Sequence, residues 1–391
     1  MGVSLSILFL GTQMATGGAQ RVLLDQARWF HEHGHKVSVI FLYDKEGLHE
    51  KWQALTPVKI TNLNAFRGYD KGAGNVFSLL KGLLSLWSFL HREKIDVIET
   101  FTHDSNMVAL PIAWLARVPV RIATHHGVIE GFPRWRELIH SWMVNSNIAN
   151  KLVAVSQKTF EISLREGVRE EHIEVIQNGI VPLPIENRSR FEVRKEAKMD
   201  EGDLVLISVG RLVYQKAHEF LVACMPEVLK KFPNTKAWIF GEGPLRADLQ
   251  SQIEQLGLSD SIKLQGKSDH IAMYLASADM FVLPSRWEGL PIALLEAMSA
   301  GLPCIATKVE GVDEALIEGE HGLFVPVEDP GALAQAILQL LGSSEVRDRM
   351  GAAARRHIST FYTVDRMCDQ YLELMLRCLK EKNKVDGKRL R

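Results

Sequence analysis

Short apolar runs alternate with helical stretches along this chain, and the series runs twice. In the first half, strands are expected at residues 6–10, 37–42, 97–100, 121–124 and 152–155. A glycine-containing loop is expected over 11–18, then a helix over 19–33 that stops at Gly34. A second series begins at 204–209 and continues at 237–240, 262–264, 280–283, 304–306 and 323–325. Strands joined by helices run parallel, because each helix carries the chain back to the edge where the next strand starts. The expected fold class is therefore α/β: two Rossmann-like domains with parallel sheets facing a central cleft. The turn-rich stretch Asn178-Gly179-Ile180-Val181-Pro182-Leu183-Pro184 and the charged segment 186–201 place the boundary between them. This gives a first domain over 1–182 and a second over 183–362. A last helix follows from about 363 to 382, with a basic tail of Lys384, Lys388, Arg389 and Arg391 that is expected to fray.

At 391 residues the chain is long enough for a full core in each domain. The net charge of -1 lacks the basic excess of a nucleic-acid binder, so no nucleic acid is expected as a partner. Cys224, Cys304, Cys368 and Cys378 have no metal-ligand spacing and read as reduced thiols of a cytoplasmic protein. The longest apolar stretch, 76–90, is interrupted by Lys81 and is too short for a membrane span. Its apolar positions 76, 79, 80, 83, 87 and 90 follow helical spacing. They read first as a core helix covering a sheet and second as a helix lying on a membrane surface. No basic segment precedes the first strand, so no signal peptide is expected. Met1-Gly2-Val3-Ser4-Leu5-Ser6 fits a myristoylation pattern only formally. The glycosylation acceptor Asn187-Arg188-Ser189 would be idle in the cytoplasm.

The chemistry concentrates in the second half. Glu288 and Glu296 lie eight positions apart across a loop-to-helix junction. Pro291 suits a first helical turn, and the apolar run 292–298 reads as a buried helix that stops at Gly301-Leu302-Pro303. Helical side chains lean toward the N-terminus, so both carboxylates can look into one space. Free backbone N–H groups at the helix start favour an anion there. An anion flanked by two sugar-binding carboxylates describes a nucleotide-sugar. Arg211 and Lys216 follow the strand at 204–209 through Gly210, at a carboxyl end where parallel sheets bind ligands. Arginine offers a planar fork to phosphate and lysine a point charge, and such cations would offset the repulsion between a diphosphate and the two carboxylates. Gly241-Glu242-Gly243-Pro244 reads as a tight turn at another strand end.

The first half is less specific. Gly17 and Gly18 precede a helix and would let backbone N–H groups approach a phosphate or a sugar, with a plain turn as the other reading. His125 and His126 follow a strand and precede Gly127. Either can donate to a sugar hydroxyl or hold a developing charge, or be structural. The segment 129–144, with Phe132, Arg134, Trp135, Arg136, Ile139 and Trp142, is a flap that grips a lipid-linked or glycan acceptor, or else a packed helix with one solvated face. No D-x-D pair, dinucleotide fingerprint, P-loop, G-x-S-x-G elbow or paired C-x-x-C occurs. Those absences remove the common dehydrogenase and serine-hydrolase readings, and His31-Glu32-His33-Gly34-His35 spells H-E-x-x-H only across the expected helix stop at Gly34, where its two outer histidines do not share a helical face.

These motifs together resemble family-4 retaining glycosyltransferases of the GT-B fold. The resemblance rests on Val209-Gly210-Arg211-Leu212 with Gln215-Lys216, on Phe240-Gly241-Glu242-Gly243-Pro244, and on Pro284-Ser285-Arg286-Trp287-Glu288-Gly289-Leu290-Pro291. Glu296-Ala297-Met298, Gly17-Gly18-Ala19 and Thr124-His125-His126-Gly127 complete it. It implies that Glu296 binds the ribose, that Glu288 contacts the donor sugar, and that Arg211 and Lys216 hold the diphosphate. Backbone N–H groups around Gly289, Leu290, Pro291 and Ile292 and at Gly18 would help. His126, the histidine before glycine, matches the position that faces the sugar. The base would stack near Gly266 and Lys267, beside Glu242, and the last helix would return to the first domain. The implied reaction is sugar transfer with retention, by a front-face mechanism, from a nucleotide-sugar, with UDP the family default. The basic tail and the segment from Phe132 to Trp142 suggest a glycan or a lipid-linked carrier as acceptor, with peripheral contact at the inner membrane face. No metal and no cofactor are expected. Ala217 stands where the family has glycine, a change read as sterically slight. A nucleotide-sugar epimerase on the same fold and a catalytically silent partner subunit are the alternatives.

Overall fold

The computed structural model describes residues 3–66, 72–127, 133–182, 190–196, 200 and 202–389. Met1-Gly2, Phe132 and Asn187-Arg188-Ser189 lie outside them, as do several residues of the turn-rich boundary stretch. The chain forms two compact units, Met1–Gly179 with Val364–Arg391, and Ile180–Thr363.

The first unit begins with β1 (Ser6–Met14), α1 (Gly18–Glu32), β2 (Lys36–Asp44), α2 (His49–Ala54), β3 (Lys59–Asn62) and α3 (Gly72–Glu93). It continues with β4 (Val97–Phe101), α4 (His103–Leu115), β5 (Val120–His125), α5 (Arg134–Asn145), β6 (Lys151–Ala154), α6 (Gln157–Arg165) and β7 (Ile173–Val175). The seven strands form one parallel sheet in the order β3-β2-β1-β4-β5-β6-β7. Strand order reverses between β1 and β4, the place where open α/β sheets bind ligands. The stretch 11–14, expected as loop, is strand: β1 stays paired with β2 through Met14 opposite Asp44. The edge strands β3 and β7, four and three residues long, gave too short a pattern to anticipate.

Helix α3 departs further from expectation. Of the six apolar positions expected to face the sheet, only Leu90 is buried. The inner face is instead Ser78, Gly82, Leu86 and Leu90, spaced four apart. A Cβ on Gly82 would lie 2.7 Å from the Cβ of Ala65, so the helix sits close on its smallest side chains. Val76, Phe77, Leu79, Leu80, Leu84 and Trp87 are left outside.

The second unit contains α7 (Arg190–Glu196), β8 (Leu204–Val209), α8 (His218–Lys231), β9 (Thr235–Phe240), α9 (Arg246–Gln255), β10 (Ile262–Gly266) and α10 (Ile271–Ser277). It ends with β11 (Met280–Leu283), α11 (Ile292–Ser299), β12 (Cys304–Thr307), β13 (Gly322–Val325), α12 (Pro330–Leu341) and α13 (Ser344–Phe361). Its six strands are parallel in the order β10-β9-β8-β11-β12-β13, with the reversal between β8 and β11. Local signals start the helices: Asp329 accepts from the Ala332 N–H at 2.8 Å ahead of Pro330, and the Ser343 hydroxyl accepts from Val346 N–H. The charged segment expected as linker holds α7, whose Arg194 is buried and pairs with Asp279 at 2.6 Å.

The last helix, α14 (Val364–Arg389), belongs to the first unit. Asp365 accepts from the Trp29 indole at 2.8 Å, and Tyr371 is buried. The helix runs to Arg389 rather than fraying from Lys384. All four cysteines are free and buried. Burial pushes the Cys224 thiol up to about 12 and the Cys378 thiol up to about 11, so neither is reactive near neutrality.

Candidate functional site

In the second unit the singled-out residues sit at the carboxyl ends of β8, β9, β10 and β11, around the reversal of strand order. Glu288 lies in the loop between β11 and α11 and is buried. The Lys216 ammonium donates to Glu288 Oε1 at 2.5 Å, and the Ser285 hydroxyl donates to the same oxygen at 2.6 Å. A buried carboxylate needs such partners, since an unpaired one is too costly to keep charged. Lys216 ends a short turn, Tyr214–Lys216, that follows β8. That turn is tied to the β11 loop. Gln215 donates to the Trp287 carbonyl at 3.0 Å, and the Arg286 N–H donates to the Gln215 carbonyl at 2.8 Å. The Arg286 guanidinium lies 3.7 Å from the Tyr214 ring centroid, pairs with Glu219 at 2.8 Å and also pairs with Glu328. Thr307 donates to the Ser285 carbonyl at 2.5 Å. The two loops therefore form one braced cradle.

Arg211 stands on the same side, exposed and without an ion-pair partner among the described residues. Glu296 is half-buried within α11. Pro291 is the residue that caps this helix (φ −74°, ψ 112°) rather than its first helical residue. The first turn contains no acid, so its backbone N–H groups carry the helix's positive end uncompensated. Gly289, Leu290 and Ile292 lead into that turn.

Two glycines let the strand-end loops close on one another. A Cβ on Gly241 would lie 1.8 Å from the Gly210 carbonyl oxygen, and a Cβ on Gly311 would lie 1.5 Å from that of Gly289. Glu242, at the end of β9, pairs with Arg246 at 3.1 Å, and a Cβ on Gly266 would sit 3.0 Å from its Oε1. Lys267 is exposed next to Gly266. Ala217, expected to change little, is held at φ +51°, ψ 36°, fully buried between Lys216 and α8. That backbone is left-handed, so the substitution for glycine is not sterically slight. His218 beside it is pulled down to about 3, by burial first and then by Lys216.

In the first unit Gly17 and Gly18 begin α1. Gly17 is extended (φ −175°), so no left-handed backbone requires glycine there. The helix has no side-chain cap and no acid in its first turn, which leaves its N–H groups available to an anion. His125 ends β5 and is buried, its Nδ1 3.1 Å from the Ser163 hydroxyl. Burial, then His103, pulls it down to about 4. His126 stacks on Phe101 at 5.0 Å, and both its ring nitrogens are buried without a hydrogen-bond partner. Burial, then His125, pulls it down to about 3. Both rings are therefore neutral near pH 7, so neither holds a charge as a free histidine would. His125 is committed to an internal network with His103, His140 and Glu166. His103 Nε2 lies 3.5 Å from Glu166 Oε2, and Asn106 spans Thr100, the Thr124 carbonyl and His140. One ligand atom each from His103, His125 and Glu166 fall within 4.8 Å of one another, so this group could hold a metal ion only after drawing in toward tetrahedral spacing.

Sequence reasoning gave no role to Ser285, Arg286, Thr307 or Gly311, nor to His103, His140 and Glu166. Ser285 and Arg286 stood inside the motif, and their proximity to Glu288 was the available signal. The others come from distant segments, and no local pattern points to them.

Residues 189–357 match the family model Glycosyl transferases group 1, and residues 16–182 match Glycosyltransferase Family 4. An Escherichia coli UDP-Gal:alpha-D-GlcNAc-diphosphoundecaprenol alpha-1,3-galactosyltransferase is 28% identical over 313 residues, 76% of this chain and 80% of that protein. An N-acetyl-alpha-D-glucosaminyl L-malate synthase of Bacillus anthracis is 25% identical, over 74% of this chain and 77% of that protein. Among solved structures, Anabaena Alr3699/HepE in complex with UDP-glucose superposes with a TM-score of 0.83 at 21% identity, covering 95% of this chain and 100% of that one. WaaG, a glycosyltransferase involved in lipopolysaccharide biosynthesis, gives 0.73 at 18% identity, covering 93% and 98%.

Proposed function

We propose that this chain, which belongs to glycosyltransferase family 4 and has the GT-B fold, takes its sugar from a UDP-sugar and transfers it with retention to a lipid-linked glycan. Glycosyl transfer is the premise, since both family models describe it, and a glycan product follows the galactosyltransferase relative. The observation that carries the finer reading is the braced cradle of Lys216, Ser285 and Glu288.

The difficult step in such a transfer is departure of the nucleoside diphosphate, which gathers negative charge as the anomeric bond breaks. Lys216, held by Glu288, and the amides of the first turn of α11 would meet that charge without reorganising, and Arg211, exposed after β8, would supply a second cation. Glu288 acts in this reading as a positioning acceptor for donor-sugar hydroxyls. Its Oε1 is occupied by two donors, which suits a fixed acceptor better than a covalent nucleophile. The leaving phosphate would then take the acceptor's proton on the same face. Glu296 would bind the ribose, and Gly266 with Lys267 would border the base. His126, being neutral, would offer a hydrogen bond to the sugar or its developing charge rather than shuttle a proton.

The UDP assignment is supported by the UDP and UDP-glucose complexes of a neighbour with the same fold, and the lipid-linked acceptor by the diphosphoundecaprenol named for the galactosyltransferase relative. Membrane contact at the inner face belongs to the same reading. Thermal melting against UDP-, GDP- and ADP-sugars tests it. A UDP-sugar should raise the melting temperature by mass action and the others should not. Glu296→Ala should abolish that rise and leave the unliganded melt unchanged. A rise that persists in Glu296→Ala would remove the ribose role, and a rise with GDP- or ADP-sugars alone would replace the nucleotide.

A further inference from the structure

A helix that covers a sheet normally buries its large apolar residues, but α3 buries Leu86 and Leu90 and leaves most of the others outside. Val76, Phe77, Leu80, Leu84 and Trp87 all face solvent, Phe77 being 71% and Leu84 70% exposed. Helix α5 repeats the inversion. Trp135, Leu138, Ile139 and Trp142, at spacings of three and four, are exposed, while His140, Ser141, Met143 and Val144 are buried. Helix α4 packs between these two and ends with Trp114 and Leu115 exposed. Leu86 and Leu90 of α3, Leu110 and Ala113 of α4, and Met143 and Val144 of α5 share one buried cluster, so the three helices lie side by side on one face of the sheet. Their outer surfaces make a broad apolar face of the kind that marks a partner or a membrane.

Composition decides between those occupants. Four of the chain's eight tryptophans stand on this face, as in the aromatic belts of membrane interfaces. Between residues 75 and 90 the only charged side chain is Lys81. It makes no ion pair among the described residues. Beside it, a groove of about 420 Å³ opens between α3 and the sheet edge at β2 and β3. Lys81 and Arg92 border this groove, with the hydroxyls of Thr61, Ser85 and Ser88 and the ring of Phe89. The acids on the three helices are Glu93, Asp104 and Glu137. Glu93 is paired with Lys36 and Arg92, and Asp104 with Arg136. Cations and hydroxyls beside exposed leucines suit a phosphate headgroup whose chains lie along an apolar surface.

We propose that the outer face of α3, α4 and α5 seats on an anionic phospholipid surface, with the groove between Lys81 and Arg92 taking a lipid phosphate. The lipid-linked acceptor reading gives this contact its purpose, but the geometry stands apart from that reading. Contact through α3 and α5 would place the first unit against the bilayer without any spanning segment, and no described helix is long and apolar enough to cross.

Flotation with vesicles of phosphatidylcholine alone, and of phosphatidylcholine mixed with phosphatidylglycerol, tests the proposal. The full chain should float with the anionic vesicles and be released as salt rises. Leu84→Ser together with Phe77→Ser should weaken that binding about tenfold or more. Lys81→Ala should weaken it about fivefold on anionic vesicles, with little effect on neutral ones. All three sites are exposed, so the melting temperature should hold. Three outcomes overturn the proposal: no flotation at low salt; flotation untouched by the double variant; or a wild-type dimer that the double variant makes monomeric while vesicles bind neither. The UDP-sugar melting shift of the double variant separates the two readings. If vesicle binding fails while that shift persists, this proposal alone is lost. If the shift is absent while vesicles bind, the donor reading alone is lost.

Discussion

Each unit carries a polar cluster at the carboxyl ends of its parallel strands, and the two clusters are opposite in character. In the second unit the cluster is ionic. Lys216 and Glu288 meet at 2.5 Å, and Arg286 is clamped between Tyr214, Glu219 and Glu328. In the first unit it is a set of imidazoles that burial holds neutral, His125 at about 4 and His126 at about 3. A diphosphate brings its own charge and needs fixed charge to receive it. A sugar hydroxyl needs oriented neutral groups. The contrast therefore teaches which half is suited to the leaving group and which to uncharged ligand atoms.

The largest effect expected from breaking this contrast is at Lys216. Lys216→Ala removes a cation from the cradle and leaves Glu288 buried without it. Loss of one preorganised electrostatic donor costs about 10² to 10³ in turnover. Stability should fall as well, by about 3 kcal/mol, because the stranded carboxylate keeps its desolvation cost. Steady-state kinetics and melting check both. A variant within a few-fold of wild type would mean that the leaving group is stabilised elsewhere.

The first unit should instead respond to acid. The folded pKa of His125, about 4, lies below its ordinary 6.5. As pH falls below 6.5 the unfolded chain takes the proton first, so stability is complete above that value and is lost as pH falls toward 4. A shift of this size corresponds to about 3 kcal/mol once titration is complete. Hydrogen exchange of β5 and α6 at pH 7 and pH 4.5 reads it locally, and His125→Gln should flatten the dependence. The pH profile of turnover should show no limb near 6.5 from His126. A limb that vanishes in His126→Gln would show a protonatable ring and sink the neutral assignment.

The same contrast explains what could be read from sequence. The residues expected at the ionic cradle come from two short segments, 211–217 and 285–296, so residue type and spacing singled out Arg211, Lys216, Glu288 and Glu296 together, while Glu219, Thr307 and Glu328 reach it from elsewhere. The imidazole cluster draws on positions 103, 125, 140 and 166, and only the fold brings these together. The alternation of strands and helices was legible because buried parallel strands are continuous apolar runs. The orientation of α3 was not, since helical spacing of apolar residues gives the stripe but not the side on which it faces. Gly82, which lets the helix approach on its small face, was the residue to weigh.

A smaller effect is expected at Glu99, buried in β4 beside Gln26 and Tyr371. Burial raises its carboxyl well above the usual range despite those hydrogen bonds. The protonated form is therefore the one the fold prefers, and ionisation costs stability as pH rises from the ordinary carboxylate range upward. Glu99→Gln should melt higher than wild type, with a gap that widens from pH 5 to pH 8. A gap that narrows with pH would place a cation near Glu99 and reverse the assignment.

The smallest effect is expected at a strained link of the braced cradle. Ala217 holds a left-handed backbone, which costs an L-residue about 1–2 kcal/mol, and Ala217→Gly releases that strain. The same change removes a buried methyl group, a loss of about 0.8 kcal/mol, and adds about 0.5–1 kcal/mol of backbone entropy to the unfolded chain. The three terms nearly cancel, so the melting temperature of Ala217→Gly should stay close to wild type. Ala217→Val tests the strain term without that cancellation. A β-branched side chain tolerates this backbone worse than alanine, and its extra methyl groups enter a filled space. Its melt should fall by several degrees, and the UDP-sugar shift should shrink with it because Lys216 is the adjacent residue. Equal melts for the glycine and valine variants would mean that the backbone at 217 is free to relax, and the cradle would then owe its rigidity to its side-chain and backbone hydrogen bonds.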